Sequence, residues 1–210
     1  MKTFSILREG RPLLVTAIIV VAAVNFAISL PWAMSLWLLV AVLAFLLREP
    51  AREVPAEPLG IVSPVDGQVL AVGPCRDPFV DRPALRLRIR QRRRGPYGLY
   101  APIEGRVERR WWPGREGVGE LPAEAAGSFA LHVRTDEHDD VLLAIDLRSP
   151  LHFLECAVQT GERVGQGRRI GVVATGVMVD VYLPEHARAT VEPGEAVLAG
   201  SAIIGELVHK

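Results

Sequence analysis

The chain of 210 residues has few of the residues that build covalent cross-links and cofactor attachments. Its two cysteines, Cys75 and Cys156, are too few for a disulfide framework or a cysteine metal cluster and suit a reduced, structural role. Lysine occurs only at Lys2 and Lys210, near the two ends, which excludes a cofactor attached through lysine in the body of the chain. The net charge is zero, which gives no basis for a global attraction to polyanions.

The signatures of several enzyme classes are also missing. We find no Ser-His-Asp signature, no phosphate-binding loop and no HExxH motif. The run Asp136–Asp140 holds a single histidine among adjacent acids, without the spacing of metal ligands. We interpret this run as a solvated turn, and the sequence predicts no metal site.

Residues 12–47 are free of charge. They form two apolar blocks, Pro12–Leu30 and Trp32–Leu47, on either side of Pro31. A spanning helix needs about 20 apolar residues, and basic residues at both ends favour the cytoplasmic side for both. The sequence predicts a membrane anchor at residues 1–48, with two short transmembrane helices joined at Pro31. A re-entrant or interfacial hairpin is the alternative.

Residues 49–60 contain three prolines and predict a stiff, extended linker. Beyond it, at residues 61–210, apolar runs are short and are punctuated by Gly, Pro and Asp, which predicts a mainly β domain. The apolar stretch Gly171–Pro184 predicts two strands separated by a bend at Gly176.

Two pairs of segments echo one another within the β domain. Ser63–Val69 resembles Ala101–Val107, and Gly161–Ile170 resembles Gly194–Ile203. Each is a strand–turn unit with glycine and an acidic residue at the turn. The pairs predict a duplicated barrel-sandwich of short strands, similar to the lipoyl/biotinyl-hybrid fold.

Arginine is concentrated on one predicted strand, Leu85–Arg90, where it alternates with apolar residues. The basic residues of this strand and its extension are Arg86, Arg88, Arg90, Arg92, Arg93 and Arg94. They form either a solvated strand face or a contact with anionic headgroups, because basic clusters near a membrane anchor attract such lipids. Nucleic acid is not predicted as a partner, because aromatic residues are sparse around the run.

Further segments follow in order behind the apolar blocks: Leu47–Glu53, Ile61–Val69, Ala101–Gly105, Gly161–Gly171 and Val179–Pro184. Together they resemble the phosphatidylserine decarboxylase family of the short, bacterial, membrane-anchored type. The likeness covers nearly the whole chain. It implies that family's fold and a role in phospholipid metabolism.

The resemblance also implies a self-made cofactor. In the family, the chain cleaves itself between Gly and Ser just before the Val-Asp-Val-Tyr-Leu-Pro strand. The serine becomes a pyruvoyl group, which is the electron sink for decarboxylation. An Asp and a His assist proton transfer.

Mapped onto this sequence, the family's site is incomplete. Asp66 is retained, but Tyr97 stands at the histidine position and a tyrosine hydroxyl is a poor base at neutral pH. Gly176 is the would-be cleavage site, and Val177 stands at the serine position. Valine has no hydroxyl, so the sequence predicts no pyruvoyl group and no other cofactor. Thr175 is the one nearby hydroxyl and would give a ketobutyryl cap instead.

Three functions remain from this reading. The favoured one is a family member without self-processing or decarboxylase activity, with a lipid-binding, scaffolding or regulatory role. The second is an active decarboxylase that makes phosphatidylethanolamine with an atypical cap at Thr175. The third is a non-catalytic, lipoyl-like membrane adaptor.

The favoured function predicts the location of the protein and its partners. It places the chain at the bacterial inner (cytoplasmic) membrane, with the β domain on the cytoplasmic side. Its expected partners are anionic phospholipids, together with a second copy of the chain or an active paralogue.

Overall fold

The computed structural model describes residues 5–6, 10–25, 30–46, 48–49, 52–57, 59–93, 97–114, 125–173 and 176–208. The chain divides into two compact units, Met1–Ala51 and Arg52–Lys210.

The first unit is a pair of helices closed by a short strand pair. Helix α1 (Gly10–Asn25) and helix α2 (Leu30–Leu46) lie between strand β1 (Ser5–Ile6) and strand β2 (Arg48–Glu49), which pair antiparallel. Leu14, Val21 and Val40 form the buried contact of this unit. Across the described residues, no helix is both long and apolar enough to cross a membrane.

The predicted junction at Pro31 is wrong. Helix α1 ends at Asn25, and Pro31 is the second residue of α2. Proline is tolerated in the first turn of a helix because the backbone N–H there has no intrahelical acceptor. Pro31 therefore begins a helix and does not separate two.

The second unit is built from short strands, which confirms the mainly β class. In chain order they are β3 (Gly60–Val62), β4 (Gly67–Asp77), β5 (Arg82–Gln91), β6 (Gly98–Tyr100), β7 (Gly105–Trp111), β8 (Ser128–Arg134), β9 (Asp140–Asp146), β10 (Leu154–Cys156), β11 (Arg163–Val164), β12 (Arg169–Val173), β13 (Met178–Pro184), β14 (Arg188–Ala189), β15 (Ala196–Val197) and β16 (Ile203–Glu206).

These strands form three antiparallel sheets. The largest has eight strands in the order β11-β7-β8-β9-β13-β5-β4-β15, and the two three-stranded sheets are β10-β12-β6 and β14-β16-β3. One face of the large sheet and side chains of both small sheets share a single apolar core. A smaller cluster around Trp111, Leu142 and Tyr182 covers part of the opposite, outer face of the large sheet.

The two sequence echoes occupy matching places in these sheets. Val197 pairs with Gly67 at one edge of the large sheet, and Val164 pairs with Gly105 at the other edge. The strand order is symmetric about the boundary between β9 and β13. One repeat consists of β3–β5 with β13–β16, and the other consists of β6–β12, so the two repeats are interleaved along the chain.

Candidate functional site

Asp66 lies in the turn between β3 and β4 and is buried, with 6% of its side chain exposed. Its Oδ1 accepts a hydrogen bond from the backbone N–H of Ala199 at 2.7 Å. Its Oδ2 accepts one from Nη2 of Arg52 at 2.5 Å. Burial of a carboxyl group is costly unless its oxygens are hydrogen-bonded, and here a guanidinium and a backbone amide supply the donors.

Gln91, at the end of β5, holds the two sides of the Gly176 bend. Its backbone N–H donates to the carbonyl of Val177 at 2.9 Å, and its side-chain Nε2 donates to the carbonyl of Val173 at 3.5 Å. The side chain is almost completely buried, and its Oε1 has no hydrogen-bond partner among the described residues. Gln91 therefore binds both the last residue of β12 and the residue that directly precedes β13.

Sequence reasoning missed Gln91, although a signal was present. Leu87 and Ile89 are fully buried because alternate residues of β5 face the core. The same alternation carries Gln91 inward, so a buried amide at the end of this strand was predictable.

The backbone brings the three family positions into one region. Arg92, the residue after Gln91, donates its N–H to the carbonyl of Asp66 at 2.8 Å. Val173, at the end of β12, donates its N–H to the carbonyl of Tyr97 at 2.8 Å. The end of β5 therefore connects Asp66 with the Gly176 bend and, through Val173, with Tyr97. Tyr97, at the histidine position, is half-buried.

The predicted bend and both flanking strands are present. Gly176 has a φ of 76°, a left-handed conformation that favours glycine. Val177 is completely buried and belongs to the main apolar core. A buried alkyl side chain has no oxygen from which a carbonyl cap can form, so position 177 does not fit a pyruvoyl group. Thr175 lies outside the described residues.

The arginines of β5 and its extension line two surface cavities. Arg86 and Arg88 line a cavity of about 360 Å³ on the outer face of the large sheet. Arg90, Arg92 and Arg93 line another, of about 410 Å³, beside Gln91. Arg94 lies outside the described residues.

Carboxylates hold two arginines of the first cavity. Arg88 donates from Nε and Nη2 to the two carboxylate oxygens of Asp180, each at 2.8 Å, and this hydrogen bonding raises the pKa of Arg88. Arg148 makes the same paired contact with Asp146, at 3.0 and 2.7 Å, which lowers the pKa of that carboxyl despite its burial. No carboxylate of the described chain pairs with Arg86.

Metal and thiol chemistry have no site in the described part of the chain. No group of three or more His, Cys, Asp or Glu side chains is arranged there to hold a metal ion. Cys75 and Cys156 are both free, and burial raises the pKa of each thiol. A raised thiol pKa disfavours the reactive thiolate, which fits structural cysteines.

Comparison with known proteins finds relatives that match almost end to end. The phosphatidylserine decarboxylase proenzyme of Aromatoleum aromaticum is 32% identical over 95% of this chain and 94% of its own length. The proteins of the same name from Nitrosomonas europaea and Ralstonia nicotianae are 31% and 33% identical, over 96% of this chain and 94% and 95% of theirs. No protein-family model and no solved structure matches the chain.

Proposed function

We propose that this chain, which belongs to the phosphatidylserine decarboxylase family, acts in phospholipid metabolism. We propose further that it neither cleaves itself nor decarboxylates lipid. Its role is to bind, scaffold or regulate at a membrane. The relatives' names describe a decarboxylase made as a proenzyme. The observation that supports this proposal is Val177, at the position where the family's serine stands.

Self-cleavage of the family's kind needs a side-chain oxygen at this position. The oxygen would attack the preceding carbonyl, and the acyl group would move from nitrogen to oxygen to form an ester. Elimination across Cα and Cβ would release the upstream carboxylate and leave dehydroalanine, whose imine tautomer water would hydrolyse to the pyruvoyl cap with loss of ammonia. Val177 has only carbon at Cβ and is packed in the core. Without the cap there is no electron sink for the carbanion that decarboxylation leaves.

The surroundings of Asp66 support a structural role for this retained residue. Both of its oxygens already accept hydrogen bonds, one of them from Arg52. A general base must be placed to accept a proton from the reacting group, and both carboxylate oxygens of Asp66 already accept hydrogen bonds from the chain itself.

Apolar and basic surfaces support the membrane role. Uncharged residues fill positions 12–47, and large apolar side chains of α1 and α2, such as Ile19 and Leu38, are exposed. Exposed apolar surface of this extent is typical of membrane or protein contacts. The arginines of the two cavities would contact anionic headgroups.

The proposal also covers the location of the protein in the cell and the details of its fold. The helical unit associates with the bacterial inner membrane, with the β unit on the cytoplasmic side and a second copy or an active paralogue as protein partner. The finer fold is a duplicated barrel-sandwich, which the matching edge pairs of β11–β7 and β15–β4 support.

Intact-mass measurement of the purified protein tests the loss of processing. We expect one chain of 22.9 kDa. A fragment that begins at residue 175 or 177 with a blocked N-terminus would overturn the proposal. Carbon dioxide release from phosphatidylserine in detergent should stay at the level of a protein-free control.

A double variant, Val177→Ser with Tyr97→His, is the matched positive control. It restores the Gly-Ser pair and the histidine, so we expect a fraction of the chains to split into residues 1–176 and 177–210. An unsplit double variant would mean that the loss extends beyond these two positions. The mass of the natural chain decides the proposal in either case.

A further inference from the structure

The loop that follows β9, Ser149–Phe153, carries the most exposed large apolar side chain of the described β unit. Leu151 is 86% exposed and Phe153 is 60% exposed. The next most exposed large apolar residue described in this unit is Leu198, at 48%. Two such exposed apolar side chains in one five-residue loop indicate a surface that contacts a partner or a membrane.

The loop is braced, so it presents these side chains in a defined position. The backbone N–H of His152 donates to the carbonyl of Ser149 at 2.9 Å, which closes a turn. The ring Nδ1 of His152 donates to the carbonyl of Asp146 at 2.9 Å, which ties the turn to the end of β9. Pro150 further restricts the backbone.

The arginine-lined cavity adjoins the base of this loop, because Arg148 lines the cavity and directly precedes the loop. Four arginines and two aspartates line it. Arg88 and Arg148 use Nε and Nη2 on the aspartates, and their Nη1 groups donate to no side chain of the cavity's described lining.

Of the four arginines, Arg76 pairs with Asp81, which does not line the cavity. Arg86 adds a further positive charge to the cavity. It is half-buried on the outer sheet face, and it makes no ion pair with any carboxylate in the described part of the chain. Its neighbour across the strand pair is Gly73, and a Cβ added at Gly73 would have no atom within 4 Å. The strand position next to Arg86 therefore leaves open space in which an anion could approach its guanidinium.

We propose that Ser149–Phe153 and the cavity at its base form a surface that docks onto a bilayer containing anionic phospholipid. Leu151 and Phe153 enter the interface, and Arg86 with Arg148 binds a lipid phosphate. A projecting apolar tip beside arginines suits the boundary between headgroups and acyl chains. The five-residue tip by itself is smaller than a stable protein interface, which buries about 800 Å² on each partner.

The inference rests on the proposed membrane association and does not depend on the loss of cleavage. Burial of one large apolar side chain favours the docked state by roughly tenfold. One arginine near an anionic surface adds about fivefold. Docking should therefore weaken when either the apolar tip or the anionic lipid is removed.

The test uses the full chain in vesicles and a fluorescent probe on the loop. In a Cys75→Ser, Cys156→Ser background, Leu151→Cys carries an apolar, environment-sensitive label. The matched control carries the same label at Glu192→Cys, an exposed position shortly before the edge strand β15. Vesicles contain acyl-brominated lipid, which quenches only probes that reach the acyl chains, in phosphatidylcholine with or without phosphatidylglycerol.

We expect strong quenching at position 151 and little at position 192 in the vesicles that contain phosphatidylglycerol. Arg86→Ala should lower the ratio of docked to undocked probe about fivefold, and Phe153→Asp should lower it by at least tenfold. Arg188→Ala, which removes an exposed arginine of β14, should leave the ratio unchanged.

Three outcomes would overturn the inference. Equal quenching at positions 151 and 192, in a chain that floats with the vesicles, refutes loop docking and leaves the membrane association intact. Equal effects of Arg86→Ala and Arg188→Ala refute the phosphate contact in the cavity. A chain that does not float at all refutes both the inference and the proposed membrane association, whereas the intact-mass result stands by itself.

Discussion

At the scale of single residues, Asp66 and Glu104 show how one turn position takes two roles. They occupy matching turns of the two repeats, each directly before the glycine that begins a strand. Asp66 is buried between Arg52 and the amide of Ala199, whereas the Glu104 side chain is 62% exposed and lies 3.4 Å from Arg163. Loss of Asp66 would leave a buried guanidinium without its carboxylate, whereas solvent screens the exposed pair of Glu104 and Arg163.

Asp66→Asn and Glu104→Gln form a matched pair of variants. Asp66→Asn leaves the buried Arg52 without its carboxylate, so we expect a loss of about 3 kcal/mol in the free energy of unfolding. Glu104→Gln should change that free energy by less than about 0.5 kcal/mol. Denaturant unfolding followed by circular dichroism measures both. Similar losses for the two variants would show that Asp66 contributes no more than an ordinary turn residue.

At the scale of elements, two glycines set the start of the long hairpins. An ideal Cβ at Gly67, the first residue of β4, would overlap the carbonyl oxygen of Arg90 on β5. One at Gly105, the first residue of β7, would overlap the carbonyl oxygen of Arg134 on β8. The Asp-Gly and Glu-Gly turns of the sequence are therefore needed for close backbone approach as well as for turn chemistry.

Alanine at these glycines should destabilise both hairpins. We expect Gly67→Ala and Gly105→Ala to lower the free energy of unfolding by about 2–3 kcal/mol each, because the strands must separate to admit the methyl group. Gly73→Ala is the control within β4, since its Cβ meets nothing within 4 Å. It should be neutral within about 0.5 kcal/mol or slightly stabilising. Thermal melts of the three variants give the comparison, and a Gly73→Ala loss equal to the others would contradict it.

At the scale of the whole molecule, the interleaved repeats place the central strands far apart in sequence. Strand β13 pairs with β5 on one side and with β9 on the other. The edge strands β11 and β15 are two residues each and pair with one neighbour in the large sheet. The chain must therefore bring β13 between β5 and β9 before the large sheet is complete.

Hydrogen exchange should report this arrangement. Peptides from Met178–Pro184 and Asp140–Asp146 should exchange only through global unfolding, because these strands are paired on both sides and pack on the core. Peptides that cover Arg163–Val164 and Ala196–Val197 should exchange much earlier. Deuterium uptake measured by mass spectrometry tests the order, and early exchange in Met178–Pro184 would contradict it.

Much of the architecture follows from local patterns. The alternation of Leu87 and Ile89 with arginine predicted β5, and the glycine in the apolar stretch predicted the bend at Gly176. The echoes around Gly67 and Gly105 predicted matching strand–turn units. These features are readable because strand period and glycine conformation act over a few residues. Helix boundaries were less certain, as Pro31 shows, because proline marks a break and a first turn equally well.

By itself the sequence determined that position 177 carries no hydroxyl and that Asp66 is retained, since side-chain chemistry does not depend on folding. Only the tertiary structure decided which groups the site residues contact. Asp66 meets the amide of Ala199, which lies 133 positions away, and Gln91 meets Val173 across 82 positions. The exposed tip at Leu151 and the surroundings of Arg86, which pairs with no carboxylate among the described residues, were likewise decided by the fold. Such contacts and exposures depend on which distant strands pair, and no local pattern encodes that pairing.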